Sequence, residues 1–231
     1  MDVSSFRFWP VITHFGSAGL MLPVFAITVG GLWISRRRAA LYAWLLALVS
    51  GAALVLASKL AFMGWGMGSA ALDFTGISGH AMLASSILPI WLGWLLAVSG
   101  DRFSVAGLAL GLGLGTLVAI SRVVLGAHSV SEAVAGWALG GAVALFSGRA
   151  LTGPLRWSRW SLLALLPLAL SLDAATANYL PAYQWEQRIA IRLSGRSAPY
   201  TRADLLSGSI PGRAQIVGGQ GVPRLGSLQT R

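Results

Sequence analysis

Six long apolar runs constrain the fold of this 231-residue chain more than any other feature. Each is close to the roughly 20 residues that a helix needs to cross the hydrocarbon core of a bilayer. Because lipid cannot satisfy a bare backbone, each run must be helical. The runs cover residues 16–34, 39–62, 80–98, 103–121, 130–148 and 160–178. We therefore predict an all-α fold, a multi-pass transmembrane helical bundle with about six spans.

The runs divide the chain into four parts. Residues 1–15 are amphipathic and aromatic, which is typical of an interfacial lead-in. Residues 16–178 form the predicted transmembrane domain. Residues 179–194 carry an amphipathic pattern that favours an interfacial helix. Residues 195–231 are basic and rich in Gly, Ser and Pro, and this composition predicts a disordered tail.

Composition excludes several classes of protein. Only 10% of the residues are charged, whereas a soluble domain carries roughly 25%. The absence of cysteine excludes disulfides and thiolate metal sites. The net charge is +10, but the basic residues lie in short loops and in the tail. Membrane lipids with anionic headgroups are therefore the expected partners, and nucleic acid is not.

Arginine placement predicts the orientation of the helices. The loops after the first, third and fifth runs carry Arg36, Arg37, Arg38, Arg102, Arg149, Arg156 and Arg159. The positive-inside rule places these loops in the cytoplasm. We expect a protein of the inner (plasma) membrane whose other loops face the periplasm. The arginine-rich tail falls on the periplasmic side in this arrangement, because late segments constrain topology less than early loops.

Glycines favour close packing of two of the runs. The fourth run contains Gly107, Gly111, Gly113 and Gly115, and the fifth contains Gly136 and Gly140. Small residues spaced four apart let membrane helices approach closely. We interpret these glycines as helix-packing positions.

The clearest chemistry lies in the short polar break between the fourth and fifth runs. The guanidinium of Arg122 matches the geometry of a phosphate. A histidine, His128, precedes an acid, Glu132, by one helical turn, as expected for a nucleophile or base with an orienting partner. Ser129 and Glu132 also form a capping box. Glu132 therefore either secures the start of a helix or orients His128, and both roles can coexist.

Two further polar sites fall on the same predicted face. Lys59 stands near the end of the second run, where a lone lysine ordinarily extends to the membrane interface. Ser78, Gly79 and His80 precede the third run. Ser78 could simply cap that helix, and His80 could be an ordinary interfacial histidine. Because the chain returns to one face at each of these points, we expect a shared pocket.

Taken together, these residues resemble a known family. Arg122, His128 and Glu132, at their spacing, resemble the third signature of the type 2 phosphatidic acid phosphatase family. This membrane family shares its site plan with vanadium haloperoxidases. Ser78-Gly79-His80 resembles the end of its Pro-Ser-Gly-His signature. Lys59 resembles the lysine that opens its first signature.

The resemblance covers about residues 59–132 and has three departures. Gly66 and Met67 stand where the first signature has Arg-Pro, so one arginine that would hold phosphate is absent. Ile77 replaces the proline of the second signature. Glu132 replaces the usual aspartate and keeps its charge.

The resemblance implies a lipid phosphate phosphatase with its active site at the periplasmic face. The expected substrate-binding residues are Lys59, Ser78, Gly79 and Arg122. The expected catalytic residues are His128, His80 and Glu132. His128 would form a phosphohistidine, Glu132 would hold its ring, and His80 would protonate the leaving group. Neither a metal nor another cofactor is implied.

Several questions stay open at this point. Polyprenyl diphosphate, phosphatidic acid, phosphatidylglycerol phosphate and a lipid A phosphate all satisfy the pattern. The missing Arg-Pro leaves open a catalytically degenerate protein that binds anionic lipids. A small transporter is also compatible with six spans, although its charges would be expected along a midplane path instead of at one face. The sequence does not indicate an oligomeric state.

Overall fold

The computed structural model describes residues 3–96, 104–150 and 182–210. Its helices are α1 (Val3–His14), α2 (Ala18–Ile34), α3 (Arg38–Trp65), α4 (Gly79–Leu95), α5 (Val105–Val124), α6 (Val130–Ala150), α7 (Ala182–Ser194) and α8 (Arg202–Leu206). Within these ranges the only β-type pairing is an isolated bridge between Ser69 and Phe74. The all-α prediction is confirmed.

Among the described residues, four helical stretches are long and apolar enough to cross a bilayer. They are Phe8–Ile34, Arg38–Trp65, Val105–Val124 and Val130–Gly148. The third predicted run forms α4, which is apolar but only 17 residues long. The sixth predicted run, 160–178, lies outside the described residues. The several apolar helices indicate a membrane protein, as predicted.

Helix α4 lies at the centre of the bundle. All residues from Ala81 to Trp94 are buried except Leu83. A helix that is apolar on every side needs neighbours on every side, and α2, α3, α5 and α6 supply them. At about 1.5 Å per residue α4 spans about 26 Å, slightly less than the roughly 30 Å hydrocarbon core. Its burial within protein makes that shortfall tolerable.

Glycines bring α5 and α6 against the backbone of α4, as the sequence predicts. A Cβ at Gly107, Gly111 or Gly115 would overlap Leu92, Pro89 or Ser85 of α4. From α6, a Cβ at Gly136 or Gly140 would overlap the carbonyl oxygen of Ser78 or Met82. Gly113 is the exception, because open space surrounds its Cβ position. Five of these six glycines therefore fix the position of α4, and with it the start of that helix.

The N-terminal helix, whose second half belongs to the candidate span Phe8–Ile34, also packs against the bundle. Helix α1 contacts α5. At Gly16, which follows α1, a Cβ would meet the His80 carbonyl oxygen and the Val118 side chain. The N-terminal helix therefore abuts the beginning of α4. Its expected placement at the membrane interface stays a prediction.

After residues 151–181, the described part of the chain resumes at Ala182. Helix α7 packs against α3 and confirms a helix within 179–194, while its interfacial location stays a prediction. Trp185, Leu193 and Ile189 are exposed on it. We call residues 182–210 the C-terminal segment.

The prediction of disorder was wrong for residues 195–210. Leu205 and Ile210 are buried in a cluster with Phe62 and Met63 of α3. The Tyr200 amide donates to the Met63 carbonyl oxygen at 2.9 Å. Two well-placed apolar side chains are enough to anchor a segment whose average composition is typical of disorder. Residues 211–231 lie outside the described part of the chain.

We predict that Gly111→Ala lowers the thermal stability of the purified protein. The new methyl group would overlap the backbone of Pro89, and overpacking of this kind costs about 1–3 kcal/mol. The apparent melting temperature in detergent measures the effect.

Gly113→Ala is the matched control on the same helix. Its methyl group would enter open space, and alanine favours a helix over glycine by about 1 kcal/mol. The control variant should therefore melt at or above the temperature of the unmodified protein. Equal melting of the two variants would contradict the packing interpretation.

Candidate active site

A cavity of about 470 Å³ opens at one end of the bundle. Helices α3 and α5 end there and α4 and α6 begin there. The cavity is lined by five of the seven predicted site residues, namely Lys59, Gly79, His80, Arg122 and His128. The expectation of a shared pocket is thus met. The Arg36–Arg38 turn lies at the other end of α3.

The turn between α5 and α6 places His128 beside Arg122. Helix α5 ends at Val124, and Gly126 takes a positive φ of 66° that reverses the chain direction. The amides of Ala127 and His128 donate to the Arg122 carbonyl oxygen at 3.0 and 3.1 Å. The two predicted site residues are therefore held by the same turn.

Glu132 performs both of the roles that its sequence left open. Its amide donates to Ser129 Oγ at 3.3 Å, and its Oε2 accepts from the Ser129 amide at 3.1 Å. The capping box is thus complete. The same Oε2 lies 2.8 Å from His128 Nδ1. Capping fixes the rotamer of the carboxylate, and the fixed carboxylate orients the imidazole ring.

The carboxylate of Glu132 is fully buried and accepts from several donors. Oε1 accepts from the Thr75 amide at 2.6 Å and from its hydroxyl at 2.5 Å. Oε2 accepts from the Ser129 amide and from Arg202 Nη2 at 2.6 Å. A carboxylate surrounded by donors is ionised and acts as an acceptor only. His128 Nδ1 is therefore the donor in this hydrogen bond, and Nε2 is the ring nitrogen that points away from the carboxylate.

The start of α4 supplies backbone donors. Ser78 is its N-cap residue, and its amide donates to the Glu132 carbonyl oxygen at 3.1 Å. Gly79 and His80 follow in the first turn, where amides lack intrahelical partners and the helix dipole is positive. Both line the cavity. The arrangement suits an anion.

Ser78 departs from its predicted role as a side-chain cap of α4. It is fully buried, and its hydroxyl makes no capping hydrogen bond with α4. Among the described residues, its Oγ has no hydrogen-bond partner. It is also not one of the cavity-lining side chains. Its contact with substrate stays a prediction.

Two cations of the cavity are held by distant segments. Arg122 Nη1 donates to Thr13 Oγ1 of α1 at 2.9 Å. Lys59 Nζ donates to both carboxylate oxygens of Glu186 on α7, at 2.8 and 3.0 Å. Lys59 is therefore an ion-paired residue of the cavity wall and not an isolated lysine reaching for the interface. Within the described ranges, no group of three or more His, Asp or Glu side chains could hold a metal ion.

Sequence reasoning missed Thr75, Glu186 and Arg202, which all line the cavity. Arg202 lies among many arginines of the tail, and charge alone does not distinguish it. One local signal was available, because Thr201 and Asp204 form a complete capping box that begins α8 at Arg202. Glu186 and Thr75 match no pattern that sequence reasoning could have used.

Gly66 and Met67, which stand in place of the Arg-Pro of the first signature, lie at the end of α3. Gly66 ends α3 in a left-handed conformation with φ of 68°, and Met67 is 65% exposed. Neither residue lines the cavity. The additional arginine in this cavity is Arg202, which comes from the C-terminal segment.

Comparisons with known proteins identify the family of this chain. The family model of the PAP2 superfamily matches residues 68–153, which include Gly79, His80, Arg122, His128 and Glu132. A relative from Klebsiella pneumoniae, described as an uncharacterized 22.5 kDa protein in the cps region, is 38% identical over 210 residues. The alignment covers 85% of this chain and 97% of the relative. The comparison with solved structures found no match. The resemblance found in the sequence is confirmed, and the chain belongs to the PAP2 superfamily.

Proposed function

We propose that this protein is a membrane phosphatase that hydrolyses a lipid phosphate or diphosphate through a phosphohistidine intermediate. Membership of the PAP2 superfamily supports phosphatase-type activity in general. The observation that carries the finer proposal is the pairing of His128 Nδ1 with a buried, ionised Glu132 at 2.8 Å. That pairing leaves Nε2 as the nucleophilic atom of a ring that lines a cationic cavity.

The cavity binds the phosphate through fixed positive charge. Lys59 and Arg122 neutralise the phosphate oxygens, and amides at the start of α4 near Gly79 add donors to the same anion. Little covalent chemistry is required of the protein in phosphoryl transfer, so positioning and charge stabilisation supply most of the catalysis.

The reaction proceeds in two displacements. In the first, His128 Nε2 attacks phosphorus, the bond to the leaving oxygen breaks, and His80 gives that oxygen a proton. Glu132 stabilises the positive charge that the His128 ring acquires. In the second, water gives a proton to His80 and attacks phosphorus. The phosphorus–nitrogen bond breaks, and inorganic phosphate leaves.

A lipid substrate fits the position of the cavity at the end of membrane-spanning helices. Phe62, Met63 and Tyr183 give the cavity wall an apolar part beside its charged part. An acyl or prenyl chain would lie against this apolar part while its phosphate reaches the histidines. We further propose that the cavity faces the periplasm, because the basic Arg36–Arg38 turn lies at the opposite end of α3.

One observation favours a second candidate, a protein that binds anionic lipids without turnover. The ammonium of Lys59, which the phosphatase needs for substrate, is paired with Glu186. A carboxylate at this position competes with a phosphate for the same cation. Turnover measurements separate the two candidates.

We predict that His128→Ala abolishes phosphate release from lipid phosphates by the purified protein in EDTA. The variant lacks the nucleophile. His80→Ala should lower the rate by about 10²–10⁴, as expected for loss of a general acid. A screen of phosphatidic acid, phosphatidylglycerol phosphate and polyprenyl diphosphate in detergent micelles measures these effects.

Thr116→Ala is the control variant. Thr116 is exposed on α5 and does not line the cavity, so this variant should keep full activity. A label from radioactive substrate should also be trapped on His128 by rapid quenching, in an acid-labile form. Undiminished turnover in His128→Ala would disprove the phosphohistidine mechanism, and lipid binding without turnover in the unmodified protein would favour the second candidate.

We predict that Glu186→Gln strengthens inhibition by orthovanadate, a phosphate analogue. The substitution removes the carboxylate 2.8 Å from Lys59 Nζ and frees the ammonium for an anion. Partly exposed ion pairs are worth about 0.2–1 kcal/mol, so a change of roughly 1.5- to 5-fold in the inhibition constant is expected. Gln184→Ala, at an exposed position of the same helix, should leave the constant unchanged. Weaker inhibition in Glu186→Gln would show that Glu186 assists Lys59 instead of competing for it.

A further inference from the structure

We propose that Arg202 is a positioning residue of this active site, which holds the Glu132 carboxylate against His128. The inference rests on the proposed function, because it assigns Arg202 a role in orienting the nucleophile. Arg202 belongs to the C-terminal segment and lies beyond residues 68–153, the part of the chain that the family model matches.

The guanidinium of Arg202 bridges two carboxylates. Its Nη2 donates to Glu132 Oε2 at 2.6 Å, and its Nη1 donates to Asp73 Oδ2 at 2.7 Å. The Glu132 oxygen is the one that accepts from His128 Nδ1. Arg202 and the imidazole of His128 therefore share one carboxylate oxygen, and a movement of the guanidinium changes the orientation of the ring.

Arg202 also compensates a buried charge. Glu132 is fully buried, whereas the side chain of Arg202 is 34% exposed. Removing the cationic partner of a buried carboxylate leaves a charge whose desolvation is no longer offset. Of the remaining partners, Thr75 and Ser129 offer dipoles but no full charge. Without Arg202, the free energy is lowered when the carboxylate rotates toward water or takes a proton. Either change releases His128.

The same contact orders the loop between α3 and α4 (residues 66–78). Asp73 has a positive φ of 47°, a conformation that non-glycine residues seldom adopt. Arg202 Nη2 also lies 3.4 Å from Thr75 Oγ1, and Thr75 donates twice to Glu132. Arg202, the loop and Glu132 thus form one closed set of hydrogen bonds.

The C-terminal segment presents Arg202 in a fixed place. The capping box of Thr201 and Asp204 begins α8 at this residue. Leu205 and Ile210 anchor the helix on Phe62 and Met63 of α3. The arginine is therefore preorganised by packing, as a positioning residue must be.

The geometry favours positioning over direct binding of phosphate. Both Nη atoms of Arg202 are engaged by carboxylates, and the two negative charges outweigh the single positive one. Arg122 is held by the Thr13 hydroxyl, and Lys59 is paired with the single carboxylate of Glu186, so these two cations are less compensated than Arg202. Loss of a phosphate ligand would raise KM, whereas loss of a positioning residue lowers kcat.

The test is steady-state kinetics of the full-length protein on the best lipid phosphate from the screen. We expect Arg202→Ala to lower kcat by roughly 10- to 100-fold, as is typical when a supporting hydrogen bond to a catalytic group is lost. KM should change by less than about threefold, since the cations that hold phosphate remain. Millimolar guanidinium chloride should restore part of the kcat, and sodium chloride at the same ionic strength should not.

Two further variants complete the kinetic test. Arg202→Lys keeps the cation but cannot bridge both carboxylates, so its kcat should be intermediate. Arg192→Ala removes an equal charge from the exposed face of α7 and should behave as the unmodified protein. A raised KM at unchanged kcat in Arg202→Ala, or full kcat in that variant, would overturn the positioning role.

A spectroscopic measurement separates this inference from the proposed function. The hydrogen bond between His128 Nδ1 and Glu132 should give a downfield proton resonance that His128→Ala removes. In Arg202→Ala the resonance should shift upfield or broaden, and in Arg202→Lys it should persist. If the protein leaves every substrate unprocessed but shows this Arg202-dependent resonance, the phosphatase proposal is rejected and the positioning role is retained. An unaltered resonance in Arg202→Ala would reject the positioning role whatever the activity.

Discussion

The buried carboxylate of Glu132 is the interaction on which the site depends. It lies in the first turn of α6, accepts from the loop between α3 and α4 through Thr75, and receives the guanidinium of Arg202. A buried charge of this kind persists only when donors surround it. The need to satisfy one acid therefore brings the loop between α3 and α4 and the C-terminal segment against the start of α6, and the orientation of His128 follows from that arrangement.

The glycines of α5 and α6 fix the relative positions of the helices that carry these residues. Close approach of α5 and α6 to α4 fixes the start of α4 relative to the turn that carries His128. Gly136 is the most direct link, because it packs on the carbonyl of Ser78, the residue before Gly79 and His80. Backbone packing at van der Waals distance tolerates little displacement. The backbone around the cavity is therefore preorganised by packing.

The sequence predicted those parts of the structure that depend on local pattern. Helical runs follow from apolar length, and the spacing of Gly107, Gly111 and Gly115 predicted a packing face that the structure confirms. The proximity of Lys59, His80, Arg122 and His128 followed from the alternation of spans. These inferences needed only periodicity and the side of the membrane on which each loop falls.

Other parts could not be predicted, because they depend on tertiary contacts between distant residues. Composition averages over a window, so the anchoring of residues 195–210 by Leu205 and Ile210 was hidden among Gly, Ser and Arg. The pairing of Lys59 with Glu186 joins residues 127 positions apart, and no local rule connects them. At Ser78 the local pattern predicted a contact that does not form. This serine occupies the N-cap position of α4, but its hydroxyl makes no capping hydrogen bond.

The long sequence separation between Glu132 and Arg202 has a consequence for biosynthesis. Seventy positions separate the acid from its cation, and ribosomes add roughly 5–20 residues per second. The nascent chain therefore carries His128 and Glu132 for several seconds before the arginine that pairs with Glu132 has been made. A chain terminated before Arg202 would lack this ion pair and leave the buried carboxylate without its cation.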